Sequence, residues 1–307
     1  MIHSFLTVGQ QVLILFALMA VGFVLGKVRL MDDRGSLAIT NLVMYAVSPA
    51  MMVVAFQRER NTADLHNFLM CLLLAVVFHA VSILLARVLI RGKDGPAGIL
   101  QFGAVFSNCG FMGYPLMLAM LGSIGVFYGS AYVVVFTFLS WTYGIYAMTG
   151  DRSQLKLRPL FMNPGVISIV LAMALFLLQI TLPEILMVPI TYLADLNTPL
   201  PMVVVGYQLS HADFRAALRG AGSWVSLLLR LVAFPLLTLG ICLALDLDSR
   251  LTVITVIAAS APPAALMSMF SAKFKLDTAL ASSTVSVQTA FSALTMPLMV
   301  SLANYLA

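Results

Sequence analysis

The sequence predicts an all-α polytopic membrane protein: ten transmembrane helices forming two inverted five-helix repeats, with broken, crossing helices 4 and 9. Three observations carry this expectation: an apolar excess, a one-sided placement of basic residues, and helix breakers at matching depths in two crossings. Of 307 residues, 61% are hydrophobic and 9% charged, whereas a soluble domain carries roughly 25% charged residues. Apolar stretches of about 20 residues, each long enough for a hydrocarbon core of roughly 30 Å, recur along the whole chain. A β-barrel would show shorter stretches of alternating polarity instead.

Taken in order, the stretches are 6–26, 36–56, 67–90, 97–121, 124–148, 163–182, 186–209, 221–244, 251–272 and 279–303. The first is followed, not preceded, by basic residues (Lys27 and Arg29), and "GFVLGKVRL" makes a poor cleavage region. It reads as a retained span with its N-terminus outside, not as a signal peptide. In that orientation thirteen basic residues fall in cytoplasmic loops: Lys27, Arg29, Arg34, Arg87, Arg91, Lys93, Arg152, Lys156, Arg158, Arg215, Arg219, Lys273 and Lys275. Three, Arg58, Arg60 and Arg250, fall outside. This bias obeys the positive-inside rule and leaves both termini outside. The net charge of +5 is therefore a topology signal, and no nucleic-acid partner is expected. Cys71, Cys109 and Cys242 lie inside apolar runs without ligand spacing, so neither a disulfide nor a metal site is expected. No cofactor is expected either.

The charged linker "TGDRSQLKLRP" follows span 5 and divides the chain nearly in half. It separates a first five-helix repeat (1–150) from a second (163–307), with a short cytoplasmic linker at 151–162. Five is odd, so repeats of like fold have opposite orientations. Pro49 in span 2 is echoed by Pro199 in span 7, and Pro115 in span 4 by Pro263 in span 9.

Span 4 contains "SNCGFMGYPLMLAMLG" and span 9 contains "VIAASAPPAALMSMF". A proline inside a helix removes a backbone donor and clashes with the preceding turn, and irregular backbone at membrane depth survives only when buried or lining a wet cavity. Both crossings are expected to unwind near the midplane. Each second half-helix is expected to start near its proline, a favoured first helical position, with its positive dipole end aimed at the centre. Two such ends suit an anionic group such as a carboxylate.

The residues that could serve such a site follow from their chemistry. Asn108 sits at the break, where an amide can both donate to and accept from a carboxylate. Gly110, Gly113, Pro115, Pro262 and Pro263 shape the crossing through their backbone. Asn41 and Ser48 in span 2, and Asn197 in span 7, can face a cavity or bind neighbouring helices. Gln288 in span 10 is placed to reach the crossover. Asp195 in span 7 is a proton or cation carrier by default for an intramembrane acid, or a cap before Pro199. His79 in span 3 titrates near neutrality or is a hydrogen-bonded core residue. Arg230 in span 8 offers a counter-charge to a substrate, snorkels to the cytoplasmic end, or pairs within the bundle. Asn163 before Pro164 is an N-cap.

On these motifs the chain resembles the auxin efflux carrier family. Asn108, Phe111, Gly113, Pro115 and Leu116 match its Asn-x-x-(Phe/Leu)-x-Gly-x-Pro-Leu signature, and Gly122 its downstream glycine. "FMNPGVISIV", "LADLNTPLPMVVVGYQL" and "ASAPPAALMSMFSAKF" resemble its spans 6, 7 and 9. The resemblance implies a scaffold of spans 1, 2, 6 and 7 and a transport unit of spans 3–5 and 8–10, moving like an elevator. The short linker departs from the plant PIN-FORMED carriers and resembles bacterial members, which implies a multi-pass protein of the bacterial inner (plasma) membrane. It implies a secondary transporter of a small organic anion, a carboxylate such as the dicarboxylates malonate or malate, moved alone or with a proton; a homodimer is compatible with this.

Two alternatives share the expected architecture. One is a sodium-coupled symporter of the bile-acid type, although the chain has few intramembrane acids to ligate sodium. The other is a ligand sensor built like a transporter. An enzyme is not expected: no His-Glu-x-x-His helix, paired catalytic acids or Ser–His dyad stands within the spans, and no phosphate-binding Gly-x-x-x-x-Gly-Lys loop is present.

Overall fold

A computed structural model describes residues 2–92, 96–154, 162–211, 218 and 220–307. Lys93, Lys156, Arg158, Arg215 and Arg219 of the topology count, and most of the central linker, lie outside the described residues. Seven helical stretches are long and apolar enough to cross a membrane: Gly9–Lys27, Asp33–Phe56, Thr62–Leu89, Ser123–Thr149, Glu184–Ser210, Ala221–Ala244 and Thr278–Leu306. Four shorter apolar helices accompany them, Pro96–Val105, Cys109–Leu121, Pro164–Leu177 and Ser249–Ser260. The chain is an all-helical, multi-pass membrane protein. The apolar stretches read from the sequence fall mostly on helix, with ends displaced by a few residues and non-helical interruptions within 97–121, 186–209 and 251–272.

Helix starts are set by local chemistry. Asp32, Asn61, Asn163, Asp248 and Asp277 each place a side-chain oxygen on a first-turn amide, satisfying one of the donors that every helix leaves without a partner. Asn163 accepts from Gly165 and Val166, with Pro164 at the first position, as its sequence predicts.

Prolines within the long helices have a recurrent consequence. The turns Val43–Val47, Cys109–Gly113 and Leu229–Ala233 are wound as π-helix, and each is followed two residues later by a proline: Pro49, Pro115 and Pro235. Widening the turn to i→i−5 hydrogen bonds makes room for a ring that would otherwise strike the preceding carbonyl. A fourth π turn, Ser140–Gly144, has no such proline; we have no physical account of it.

The first helix packs along the Pro199–Ser210 helix at very close range. A Cβ on Gly22 would overlap the Val203 carbonyl, and one on Gly206 would overlap the Met19 carbonyl. Small residues permit such backbone approach where lipid supplies no hydrophobic drive between helices. The largest buried cluster lies elsewhere, around Phe56, Phe102, Phe106, Phe127, Tyr132, Phe234 and Phe270. Replacing Gly206 by Ala is expected to lower the melting temperature of the purified protein by several degrees, an overpacking cost of about 1–3 kcal/mol. Gly110→Ala, whose Cβ meets nothing within 4 Å, is expected to leave it unchanged; equal effects would contradict the packing argument.

Candidate functional site

Two helical runs are interrupted, and the interruptions touch. Pro96–Val105 ends, residues 106–108 are non-helical, and helix resumes at Cys109. Ser249–Ser260 likewise ends, and helix resumes at Leu266. The gaps pair as an antiparallel bridge between Ser107 and Pro263. The Asn108 amide donates to the Pro262 carbonyl (2.6 Å), and the Ala264 amide donates to the Phe106 carbonyl (2.9 Å). Backbone groups that helix breaking would orphan are thus satisfied across the crossing.

The position of the first break differs from the expectation. Pro115 does not begin a half-helix; it lies inside the helical run after the π turn, and the break stands upstream at residues 106–108. The π turn absorbs the ring: the Tyr114 amide bonds to the Cys109 carbonyl. Asn108, not the proline, defines the helix start, its Oδ1 accepting from the Phe111 amide at 3.3 Å. In the other crossing Pro262 and Pro263 sit in the gap itself, and Leu266–Lys273 starts without a side-chain cap.

Beside the crossing lies a cavity of about 450 Å³, within the range of small-molecule sites. Asn108, Gly110, Ala264, Ala265 and Leu266 line it, so both second half-helices present their N-terminal ends to it. Asn163 and Gly165 bring a third helix start to the same wall. Ser48, Thr137 and Ser268 add hydroxyls, and Met44, Met52, Phe111, Phe136, Trp141 and Met269 supply apolar surface. Asp33 is the sole charged residue among the described lining, and it is exposed and accepts a hydrogen bond from the Tyr207 hydroxyl at 2.8 Å. No lysine, arginine or histidine of the described residues lines the cavity. A ligand's negative charge would therefore meet helix ends and amides, not cationic side chains. Among the described residues the Asn108 Nδ2 has no partner, and the residue lines the cavity, leaving a donor for a ligand.

Other candidates are distributed differently. Gly113, Pro115, Pro262 and Pro263 are buried and lie outside the lining. Asn197 is buried outside the cavity lining and accepts from the Ser48 hydroxyl at 3.0 Å, tying the Glu184–Ser210 stretch to Asp33–Phe56. Asn41 and Asp195 are exposed on the outer surface and do not reach the cavity. Gln288 is buried against the Ser226 hydroxyl (3.3 Å), which itself caps the Leu100 carbonyl (2.9 Å). His79 is fully buried, with Nδ1 2.7 Å from the Ala75 carbonyl, so Nδ1 carries the proton and the ring sits in the aromatic core beside Phe106 and Tyr132.

Arg230 pairs within the bundle, one of the three readings the sequence leaves open. It neither snorkels nor faces the cavity: it is fully buried. Its Nη1 donates to the carbonyls of Ala104 (3.1 Å) and Val105 (2.8 Å), and its Nη2 donates to the carbonyl of Ala259. These are last-turn carbonyls of both first half-helices. The clue in the sequence is an arginine within an apolar span with no acid near it, a charge that demands acceptors inside the bundle.

Sequence comparison identifies the family. A family model described as membrane transport protein matches residues 7–159 and 152–300. An uncharacterised transporter of Methanocaldococcus jannaschii is 25% identical over 300 residues, covering 94% of this chain and 96% of its own. An uncharacterised transporter of Methanothermobacter thermautotrophicus is 26% identical over 301 residues, with coverage of 94% and 96%.

Asn108→Asp keeps the helix cap while placing a negative charge among the cavity's amide donors. This variant is expected to fold with an unchanged melting temperature, yet to lose stabilisation by carboxylates in a thermal-shift titration. A carboxylate response equal to that of the parent would remove Asn108 from the site.

Proposed function

The chain belongs to the membrane transport protein family, the auxin efflux carriers, and from that premise we propose that it is a secondary carrier of a small organic anion bearing a carboxylate. The observation that carries this reading is the pair of second half-helices whose starts line one cavity beside the crossover. Each helix start is worth roughly half a positive charge, so two together balance about one carboxylate. The lack of basic side chains in the lining, together with its apolar walls, favours a monocarboxylate with an apolar body over malonate or malate. The family is one of transporters, and no catalytic role is proposed.

The lining also supports an elevator-like cycle and the two-repeat, ten-span reading. One wall comes from the expected scaffold, with Asp33 to Met52, Asn163 to Ile169, and Tyr207; the other comes from the expected transport unit, with Asn108 to Tyr114, Val133 to Trp141, and Ala264 to Met269. A cavity along such a seam changes its access when one unit slides past the other. In the orientation set by the basic loops, the Asp33 end faces the cytoplasm and both termini face outward. At the opposite end the Arg58–Asp64 ion pair (3.1 Å) spans the loop that joins the two units, Tyr128 donates to Asp64 (2.8 Å) within the expected transport unit, and Gln57 bridges the Ile180 carbonyl and Leu182 amide within the expected scaffold.

Thermal-shift screening of the purified protein against matched monocarboxylates, dicarboxylates and the corresponding neutral amides tests the reading, followed by uptake of the best ligand into proteoliposomes. Monocarboxylates are expected to stabilise most, and the amides to bind at least about tenfold more weakly because the charge–dipole attraction is lost. Equal binding of acid and amide would sink the anion reading. Binding without flux under either a pH or a sodium gradient would favour a sensor.

A further inference from the structure

We propose that Arg230 is a tethered cation that holds the crossover together in place of a dissolved coupling ion, so that the cycle runs without a bound monovalent metal cation. The consequence for flux rests on the carrier reading above, whereas the structural assignment rests on the geometry of the guanidinium alone.

The electrostatics of the crossing are lopsided. Where two helices break and cross, their N-terminal ends lie on one side and their C-terminal ends on the other. The N-terminal side is the cavity. The C-terminal side gathers the ends of Pro96–Val105 and Ser249–Ser260, each with carbonyls that the helix ladder cannot use and each worth about half a negative charge. Together they amount to about one negative charge, sealed from water. A cluster of inward carbonyls of this kind is the usual lodging of a dehydrated cation. Here it already holds one: Arg230 bonds to Ala104, Val105 and Ala259. Its chain comes from a separate helix, Ala221–Ala244, at the π turn Leu229–Ala233 that precedes Pro235.

The guanidinium has no other counter-charge. The one ion pair among the described residues is Arg58–Asp64, which joins the two ends of a different loop. Phe78 and Phe234 present their rings to the guanidinium carbon at 5.8 and 6.0 Å, an attractive but uncharged setting. A buried cation without compensation is very costly, so the two helix ends are its compensation, and it is theirs. Because arginine stays charged and cannot dissociate from the chain, the position is filled throughout the cycle. A sodium ion, by contrast, would bind and leave, and would couple its gradient to flux.

The test uses the full-length protein in detergent and in proteoliposomes, with sodium, potassium, choline and guanidinium chlorides at constant ionic strength as probes. The parent is expected to have the same melting temperature in sodium as in choline, and the same uptake of whichever screened carboxylate stabilises it most. Arg230→Ala is expected to melt several degrees lower in choline and to lose uptake by about tenfold or more, because the helix ends are left uncompensated. Guanidinium, which fits the vacated space, is expected to restore both, and Arg230→Lys to retain most of the parental stability. Sodium-dependent melting or uptake of the parent would overturn the proposal. So would an Arg230→Ala variant that matches the parent, or one whose loss neither guanidinium nor lysine repairs. If Arg230→Ala does not fold, Arg230→Lys and the cation independence of the parent still decide. Melting temperatures need no substrate, so absence of carboxylate flux beside a cation-independent, guanidinium-rescued protein would fail the carrier reading alone.

Discussion

The antiparallel contact between residues 106–108 and 261–265 is the constraint on which the rest of the structure depends. A membrane helix cannot simply stop, because its freed amides and carbonyls find no water in the hydrocarbon core. Here each interruption is completed by the other, through Asn108 to Pro262 and Ala264 to Phe106. The two breaks are mutually required: neither gap could persist beside an unbroken helix. The contact creates four helix ends inside the bundle, two of them starts and two of them stops.

Those ends are sorted by sign. The two positive ends line a cavity without basic side chains, and the two negative ends converge on a buried arginine. Sorting has a mechanical benefit. Helix ends are backbone features, so a site built from them is as rigid as the helices. Lysine or arginine in the cavity would bind an anion more strongly, but a long flexible side chain would lose entropy on each binding event. A carrier must release its cargo, and a site of partial charges suits release.

Prolines have two separate roles in this chain. Pro262 and Pro263 occupy the gap, where the missing amides are no loss because the paired segment asks for donors elsewhere. Pro49, Pro115 and Pro235 instead follow widened turns within continuing helices. The π turn after Asn108 tightens the link between the two roles, since it is both the start of the half-helix and the accommodation of Pro115. Rigid turns next to the cavity fix the direction in which the Asn108 amide and the Gly110 backbone point.

Much of this was legible without coordinates. Composition and basic-residue placement determined a multi-pass helical protein, because the cost of burying charge in lipid leaves a signature at every loop. The signature around Asn108 and the Pro262–Pro263 pair marked both interruptions, since local backbone chemistry is written in glycine, proline and capping residues. What pairs with what was decided only in three dimensions. Nothing in the neighbourhood of Arg230 announces that its acceptors are carbonyls of two helices far away in sequence, because backbone acceptors look alike in any sequence. Asn41, read as a cavity or helix-contact residue, and Asp195, read as an ion carrier or cap, are instead exposed and outside the cavity lining, because which side of a helix packs inward is set by its neighbours as well as by its own pattern.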